Sequence, residues 1–366
     1  MTLLLADLTT YTMNSNYPQA DLLSTTALAA NSIETAFGSP APLAVANVAP
    51  SFKVGNGKQT LTQASRAVSI KQQSDGKIVL AGNGYNGSDT DFSVIRLNSD
   101  GSLDTSFNSS GNAMLGFGAA DSATSMQILS DGKIVVSGYS SIGGNEDYSV
   151  VRLNSDGSLD TSFNNSGKAS FAVGSGRDQA RGLAIDSNGK IILGGEAIGS
   201  TTNFALIRVN TSGTLDTSFN SNGKLLVPIG ASGDFGNVVA IQNDGKILLA
   251  GDYFSGSGVR VAVIRVNPDG SLDTSFNSTG KVTLAGSSVG DYCTAVAIQS
   301  DGKIVLSGYS QIGSKYYNVI TRLNANGSLD TTFNSTGQTT ISTGQDFAFA
   351  QSMTLQSDGK ILVAGS

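Results

Sequence analysis

The chain has 366 residues, 39% of them hydrophobic and 14% charged, with a net charge of −6. That supplies enough apolar material for an extended core, but the sparse, acidic charge excludes the electrostatic footprint of a nucleic-acid binder and gives no attraction to an anionic membrane. The absence of histidine excludes Ser-His-Asp and Cys-His nucleophile systems and His-ligated zinc or iron, and a single cysteine, Cys293, excludes an intrachain disulfide.

Residues 1–40 are rich in Thr, Ser, Ala and Asn, with almost no charge, and read as a flexible leader. Leu3-Leu4-Leu5 is too short to span a membrane, and no apolar run elsewhere is long enough to do so, so membrane insertion is not expected. The first cation is Lys53, so the basic region that opens a secretory signal peptide is missing.

From Phe52 onward the chain repeats itself. Asp75-Gly76-Lys77 returns at Asp131, Asn188, Asp244, Asp301 and Asp358, at spacings of 56 or 57 residues. The phrase "NSDGSLDTSF" at residues 98–107 returns at Asn154, Asn210, Asn267 and Asn324. Phe52 lies 55 residues before Phe107, which makes six units of about 57 residues over 52–366. A fixed period of this length marks a repeat architecture.

Each unit predicts four strands. In the unit after Phe276 they fall at 281–286, 294–299, 303–309 and 318–324, with Asp-Gly as a hairpin signal between the second and third. The strands are apolar on both faces, as in Ile304-Val305-Leu306, and must be covered on both sides. Four-stranded antiparallel units in series, each packed between neighbours, predict an all-β, six-bladed β-propeller over residues 41–366. In this reading 281–286 and its equivalents are the innermost strands, and "NSDGSLDTSF" crosses from the outer strand of one blade to the inner strand of the next. Gly101 and its copies permit positive φ, Leu103 and Phe107 are apolar pegs, and Asp104 accepts backbone N–H bonds. The sixth unit stops at Ser366 after its third predicted strand. Residues 42–47, "PLAVAN", stand where the next strand belongs and are expected to complete the last blade; the other expectation is that the chain is part of a longer polypeptide or assembly.

The phrases "SDGKIVLAG", "VIRLNSDGSLDTSF" and "GKVTLAG", in this order and period, resemble the delta-60 repeat family of bacterial proteins. The resemblance implies a propeller and a frequent home in large secreted or surface-associated proteins. It brings no catalytic residues. Asn112 and Gln338 depart from the pattern, where a lysine is usual.

Candidate chemistry divides between the two faces. In the crossings, Asn98, Asp100 and Asp104, with Asn154, Asp156, Asp160, Asp269 and Asp273, place oxygens at alternate positions and are candidate calcium ligands. An ion-free hydrogen-bonded turn explains the same residues, and the glycine is not where an EF-hand loop puts it. The Asp-Gly-Lys lysines predict a ring of cations, largely neutralised by neighbouring aspartates. The loops of the opposite face differ from copy to copy, as binding loops on a rigid scaffold do. Tyr85, Tyr139, Tyr253, Phe254, Tyr309, Tyr316 and Tyr317 there are candidates for stacking on a glycan or packing on a protein partner. The expected function is a non-catalytic binding module of a bacterial secreted or cell-surface protein, with no cofactor required. The alternative is a calcium-dependent hydrolase, lactonase- or esterase-like, built on the axial carboxylates Asp121, Asp178, Asp234, Asp291 and Asp346.

Overall fold

The computed structural model describes residues 66–286, 290–342, 344 and 347–365. The leader and the expected closing strand at 42–47 lie outside them, as does Asp346.

The described chain is all-β. The first sheet runs β1 (Arg66–Gln72), β2 (Ile78–Tyr85), β3 (Thr90–Leu97) and β4 (Asn112–Leu115). The second runs β5 (Asp121–Ile128), β6 (Ile134–Ile142), β7 (Asn145–Leu153) and β8 (Lys168–Phe171). The third runs β9 (Asp178–Ile185), β10 (Ile191–Ile198), β11 (Thr202–Val209) and β12 (Lys224–Val227). The fourth holds β13 (Asp234–Ile241), β14 (Ile247–Phe254), β15 (Val259–Val266) and β16 (Lys281–Thr283). The fifth holds β17 (Gly290–Ile298), β18 (Ile304–Ile312), β19 (Lys315–Leu323) and β20 (Gln338–Ile341), and its strand pairing with the fourth is a parallel bridge at Val259 and Gly290. The sixth has two described strands, β21 (Ala350–Leu355) and β22 (Ile361–Gly365).

The strand count per unit is as expected, but the grouping is shifted by one strand. The short segment expected at the axis pairs with the end of the preceding unit: Phe92 lies opposite Leu115, and Ile95 opposite Asn112. It is therefore the outermost strand of that unit. "NSDGSLDTSF" does not cross between blades; it joins the third strand to the fourth within one sheet. The reason is local. Directly after the third strand the chain folds back, with Leu97 bridging to Leu103, and Phe107 then turns it antiparallel to the strand just left. The innermost strands are β1, β5, β9, β13, β17 and β21, each lying against the next. Thr124 and Thr294 donate hydroxyl bonds to the inner strand of the following sheet, at Ala180 O and Ala350 O, both 2.8 Å. The true crossings are the variable segments between β4 and β5 and their equivalents.

This shift leaves the two faces of the molecule as expected. One carries the Asp-Gly-Lys turns and the repeated phrase. The other carries the β2–β3-type hairpin tips and the crossings.

The core lies between sheets. Phe92, Phe107 and Ala113 of the first pack with Met126, Ile134 and Val151 of the second, and each later joint repeats the pattern. Each such side chain, fully buried, contributes roughly 1.5–3 kcal/mol. The second strands are the most enclosed: in β6, Ile134, Val135 and Val136 are all fully buried. Each turn between first and second strands uses one positive-φ glycine, such as Gly76 at φ 83°, while Asp75 Oδ1 accepts the Lys77 amide at 3.0 Å. Gln73 and Gly76 close a four-residue turn, so the glycine follows an ordinary turn rather than a two-residue loop.

Candidate functional site

On the turn face, each repeated phrase builds the same latch. Arg96 Nε donates to Asp104 Oδ2 at 2.7 Å, and Lys77 Nζ lies 3.0 Å from the same oxygen. Ser106 supplies its amide and hydroxyl to Oδ1 at 3.1 and 2.5 Å. The guanidinium carbon stands 4.7 Å above the Phe107 ring, a cation–π contact in a nearly dry setting. Arg96 Nη1 then reaches Ser155 O of the next sheet. The same set recurs around Asp160, Asp216 and Asp273, and around Asp330 the Arg322, Lys303 and Phe333 contacts recur with Thr332 in place of the serine. Burial works to raise the Asp104 carboxyl, but Ser106, Lys77 and Arg96 outweigh it and hold it well below the usual carboxylate range. Asp160, Asp216 and Asp273 are depressed in the same way, and at Asp330 the Thr332 hydroxyl leads.

These latches account for most of the candidate calcium ligands. Asp104, Asp160 and Asp273 each carry an arginine and a lysine, and a calcium ion would have to displace both. Asp156 and Asp269 turn back on the amide and hydroxyl of Ser158 and Ser271, and Asp100 does so on Ser102. Asn98 and Asn154 use their side-chain amides as donors to Ser102 and Ser158. Among the described residues no cluster of three acidic or sulfur side chains can hold a metal. The lysines are likewise engaged: Lys77, Lys133, Lys190, Lys246 and Lys303 all pair with latch aspartates, so they form no open cationic ring.

The axial carboxylates do recur, at the start of the inner strands, but they serve the crossings. Asp121 accepts the Phe117 amide at 2.7 Å; Asp178 accepts Val173, Gly174 and Ile198; Asp234 accepts Ile229 and Gly230. Burial pushes all three upward. Asp291 accepts the Ser310 hydroxyl and lies 3.8 Å from Arg260. A lysine of each following outer strand ties the crossing down: Lys168 to Gly116 O, Lys224 to Ala172 O and Lys281 to Pro228 O. Asn112 and Gln338, which lack that lysine, bond within their own sheets, to Ser93 and Thr321.

One buried carboxylate stands apart. Inner-strand bulges place Arg181 against Glu196, with both nitrogens at 2.7 Å. In the next sheet the bulge residue is Asn237, so Asp252 receives only the Asn237 amide and the Cys293 backbone N–H, each at 2.7 Å. Burial pushes Asp252 up to about 7. Cys293 is itself buried, and its thiol is pushed far above its ordinary value by burial, as befits a core residue.

The loop face collects aromatic rings over the fifth and sixth sheets. Tyr292 stacks on Tyr309 with centroids 4.7 Å apart. Phe349 meets Tyr309 and Tyr316, each at 4.9 Å, and Phe347 stacks on Tyr316 at 6.0 Å. The Tyr316 carbonyl accepts the Ala348 amide, fixing the crossing against β19. Phe347 is 58% exposed, so the cluster opens to solvent. Of the seven aromatic candidates, Tyr309 and Tyr316 belong to this cluster. Tyr317 sits one residue on, opposite Ser310. Tyr253 packs against the core between the third and fourth sheets, while the neighbouring Phe254 is exposed and meets Phe235 edge-on. Tyr139, in β6, and the exposed Tyr85, in β2, lie on other sheets. Tyr292, Phe347 and Phe349 were not among the candidates. The spacing of Phe347 and Phe349, two residues apart on an extended segment, was the available signal, since it puts both rings on one side.

Five stretches, 73–107, 129–163, 187–219, 242–276 and 299–333, match the sequence profile of a domain of unknown function, DUF5122, described as a β-propeller. The chain thus carries five β-propeller repeats. No curated protein matches its sequence. Among solved structures it is similar to the periplasmic gluconolactonase of Pseudomonas aeruginosa, at 13% identity over 78% of this chain and 76% of that one, with a TM-score of 0.47. It is also similar to a streptogramin B lyase, at 12% identity over 84% and 92% with a TM-score of 0.39. Drosophila Semaphorin 1b shows 9% identity over 76% and 57%, with a TM-score of 0.42.

Proposed function

We propose that this chain is a non-catalytic binding module of a secreted or cell-surface protein, a six-bladed propeller whose last blade takes an N-terminal strand. It holds a glycan or protein partner on the loop face. The observation that carries this reading is the cluster of Tyr292, Tyr309, Tyr316, Phe347 and Phe349, five rings in mutual contact with Phe347 open to solvent. Aromatic groups with a polar tip and an exposed ring face combine contact area with low ordering cost, which suits recognition. The engagement of both oxygens of Asp178 and Asp234, and of Asp121 Oδ2, by backbone amides supports the non-catalytic reading over the hydrolase alternative, because these oxygens already hold structural partners.

The chain has no tryptophan, so its emission comes from ten tyrosines, three of them in the cluster. Titration with a panel of soluble neutral and sulfated polysaccharides should quench that emission. Tyr316→Ala and Phe347→Ala should weaken the response at least tenfold at an unchanged melt. A response that survives both substitutions would place the contact elsewhere, and none from any polysaccharide would leave a protein partner. In this reading calcium is not required. Calcium added to chelator-stripped protein should leave the melt where it is, and an upward shift would return the repeated turns to the list of metal sites.

A further inference from the structure

On the turn face the repeat departs from itself at two neighbouring turns. The residue that opens each turn between first and second strands donates its amide to the carbonyl of the turn lysine, and in four sheets it is a glutamine: Gln73, Gln242, Gln299 and Gln356. In the second and third sheets it is Leu129 and Asp186. Gln73, Gln242 and Gln299 bury their side-chain oxygens, so these long side chains are turned into the molecule. Leu129 is shorter and packs toward the joint with the third sheet. Asp186 is withdrawn altogether: its Oδ1 accepts the amides of Asn188 and Lys190 at 2.8 and 2.9 Å, within its own turn.

A cavity of about 800 Å³ opens where those two glutamines are missing. That size falls within the range of small-molecule sites, about 300–1,000 Å³. Its floor is aliphatic: Ile128 comes from the end of β5, Leu183 and Ile185 from β9, and Val239 and Ile241 from β13. Two positions before the turn residue, the third and fourth sheets carry Ala184 and Ala240, which line the space without filling it, whereas the second carries Gln127. Among the described residues the Gln127 side-chain amide has no hydrogen-bond partner. Four charged residues stand at the rim, two of each sign, and each is engaged. Lys133 and Arg152 hold Asp160 at 2.9 and 2.7 Å, Asp131 Oδ1 accepts the Lys133 amide at 3.1 Å, and Asp186 is held by its own turn.

We propose that this cavity binds one neutral, largely apolar small molecule, whose single hydroxyl or carbonyl group bonds to the Gln127 amide. The aliphatic floor holds the apolar body by removing its surface from water. An ionised ligand would give up hydration for a rim whose charges already have partners, which disfavours it. A side-chain amide offers both a donor and an acceptor, so it takes a hydroxyl or a carbonyl alike. The site lies on the face opposite the aromatic cluster and is independent of what that cluster binds.

The test uses the full chain and N-phenyl-1-naphthylamine, a neutral dye whose emission rises in apolar surroundings, with 1-octanol and octanoate as competitors at pH 8. The dye should give a saturable rise at one molecule per chain. 1-Octanol should displace it, and octanoate, with the same carbon chain and a full negative charge, should need about tenfold more or worse. Leu129→Gln with Asp186→Gln restores the residue of the other four sheets, so the fold is kept while the space is filled; dye affinity should fall by about tenfold or more at an unchanged melt. Ala240→Leu fills the same space from the fourth sheet and should lower dye affinity likewise. Gln127→Ala should weaken displacement by 1-octanol roughly threefold to tenfold, the loss of one hydrogen bond. No saturable rise, equal displacement by 1-octanol and octanoate, or undiminished dye binding in both space-filling variants would each overturn the proposal.

Discussion

The turn face and the loop face of this molecule differ in how much they repeat. The latch recurs at Asp104, Asp160, Asp216, Asp273 and Asp330 with Arg–Asp distances of 2.6–2.7 Å, while the loops opposite share little beyond one aspartate in the crossing. The latch must repeat because each copy meets the next copy of itself: an arginine of one sheet needs the carbonyl of a particular turn in its neighbour. The hairpin tips meet no such partner and can vary without loosening a joint. Invariance within the chain therefore marks assembly, and variation marks the surface left for other molecules.

The largest break in that contrast should come from the latch. Asp160→Ala leaves Arg152 and Lys133 facing a buried, empty position. Removing one member of a buried ion pair costs about 3–5 kcal/mol, so chemical denaturation should show a loss of that order. A loss below about 1 kcal/mol would mean the latch is screened like a surface pair.

Acid should act on all latches together. Their aspartates titrate lower when folded than when unfolded, so the unfolded chain binds protons first as pH falls. The stability they contribute is complete above the unfolded carboxylate value of about 4 and is lost as pH drops from there toward the depressed folded values. A melt followed from pH 5 to pH 2 should fall steeply, and the slope should shrink in Asp160→Asn.

Asp252 works in the opposite sense. Its folded value, pushed up to about 7, means that its charge opposes folding increasingly as pH rises from about 4 through 7. Asn83 fills the equivalent place in the first sheet and accepts the Ala123 amide at 2.7 Å. Asp252→Asn should therefore raise the melting temperature at pH 8, with a smaller rise at pH 5; equal effects at both would refute the assignment.

A smaller gain is expected from Gln338→Lys, which restores the strap seen at Lys168, Lys224 and Lys281 and should reach Ala285 O. One added hydrogen bond contributes about 0.5–1.5 kcal/mol. The smallest effect on stability belongs to the loop face. Phe347→Ala should move the melt by less than about 0.5 kcal/mol in equivalent stability, as exposed substitutions do, while removing ligand response.

Much of the site was legible in one dimension. Tyr309 and Tyr316 stood in loops that vary, and Asp104 and Lys77 stood in phrases that do not. Their partnership was not legible, because Lys77 and Asp104 are joined through the fold of a whole sheet, and Tyr316 meets Phe347 and Phe349 only when the next crossing is laid over β19. Nor was the role of Arg96, one polar residue within an apolar strand.

By itself the sequence determined the period, the four strands per unit, the hairpin glycines and the propeller class, since these follow from local periodicity and turn chemistry. The phase of the repeat was decided only by tertiary structure. A periodic string has no intrinsic start, and the short strand at 112–115 can pair either way on paper. Bridging of Leu97 to Leu103 and the docking of Arg96 on the next sheet put it on the outside. Hydrogen bonds between strands are contacts across space, and a sequence that repeats every 57 residues leaves open which neighbour each strand will meet.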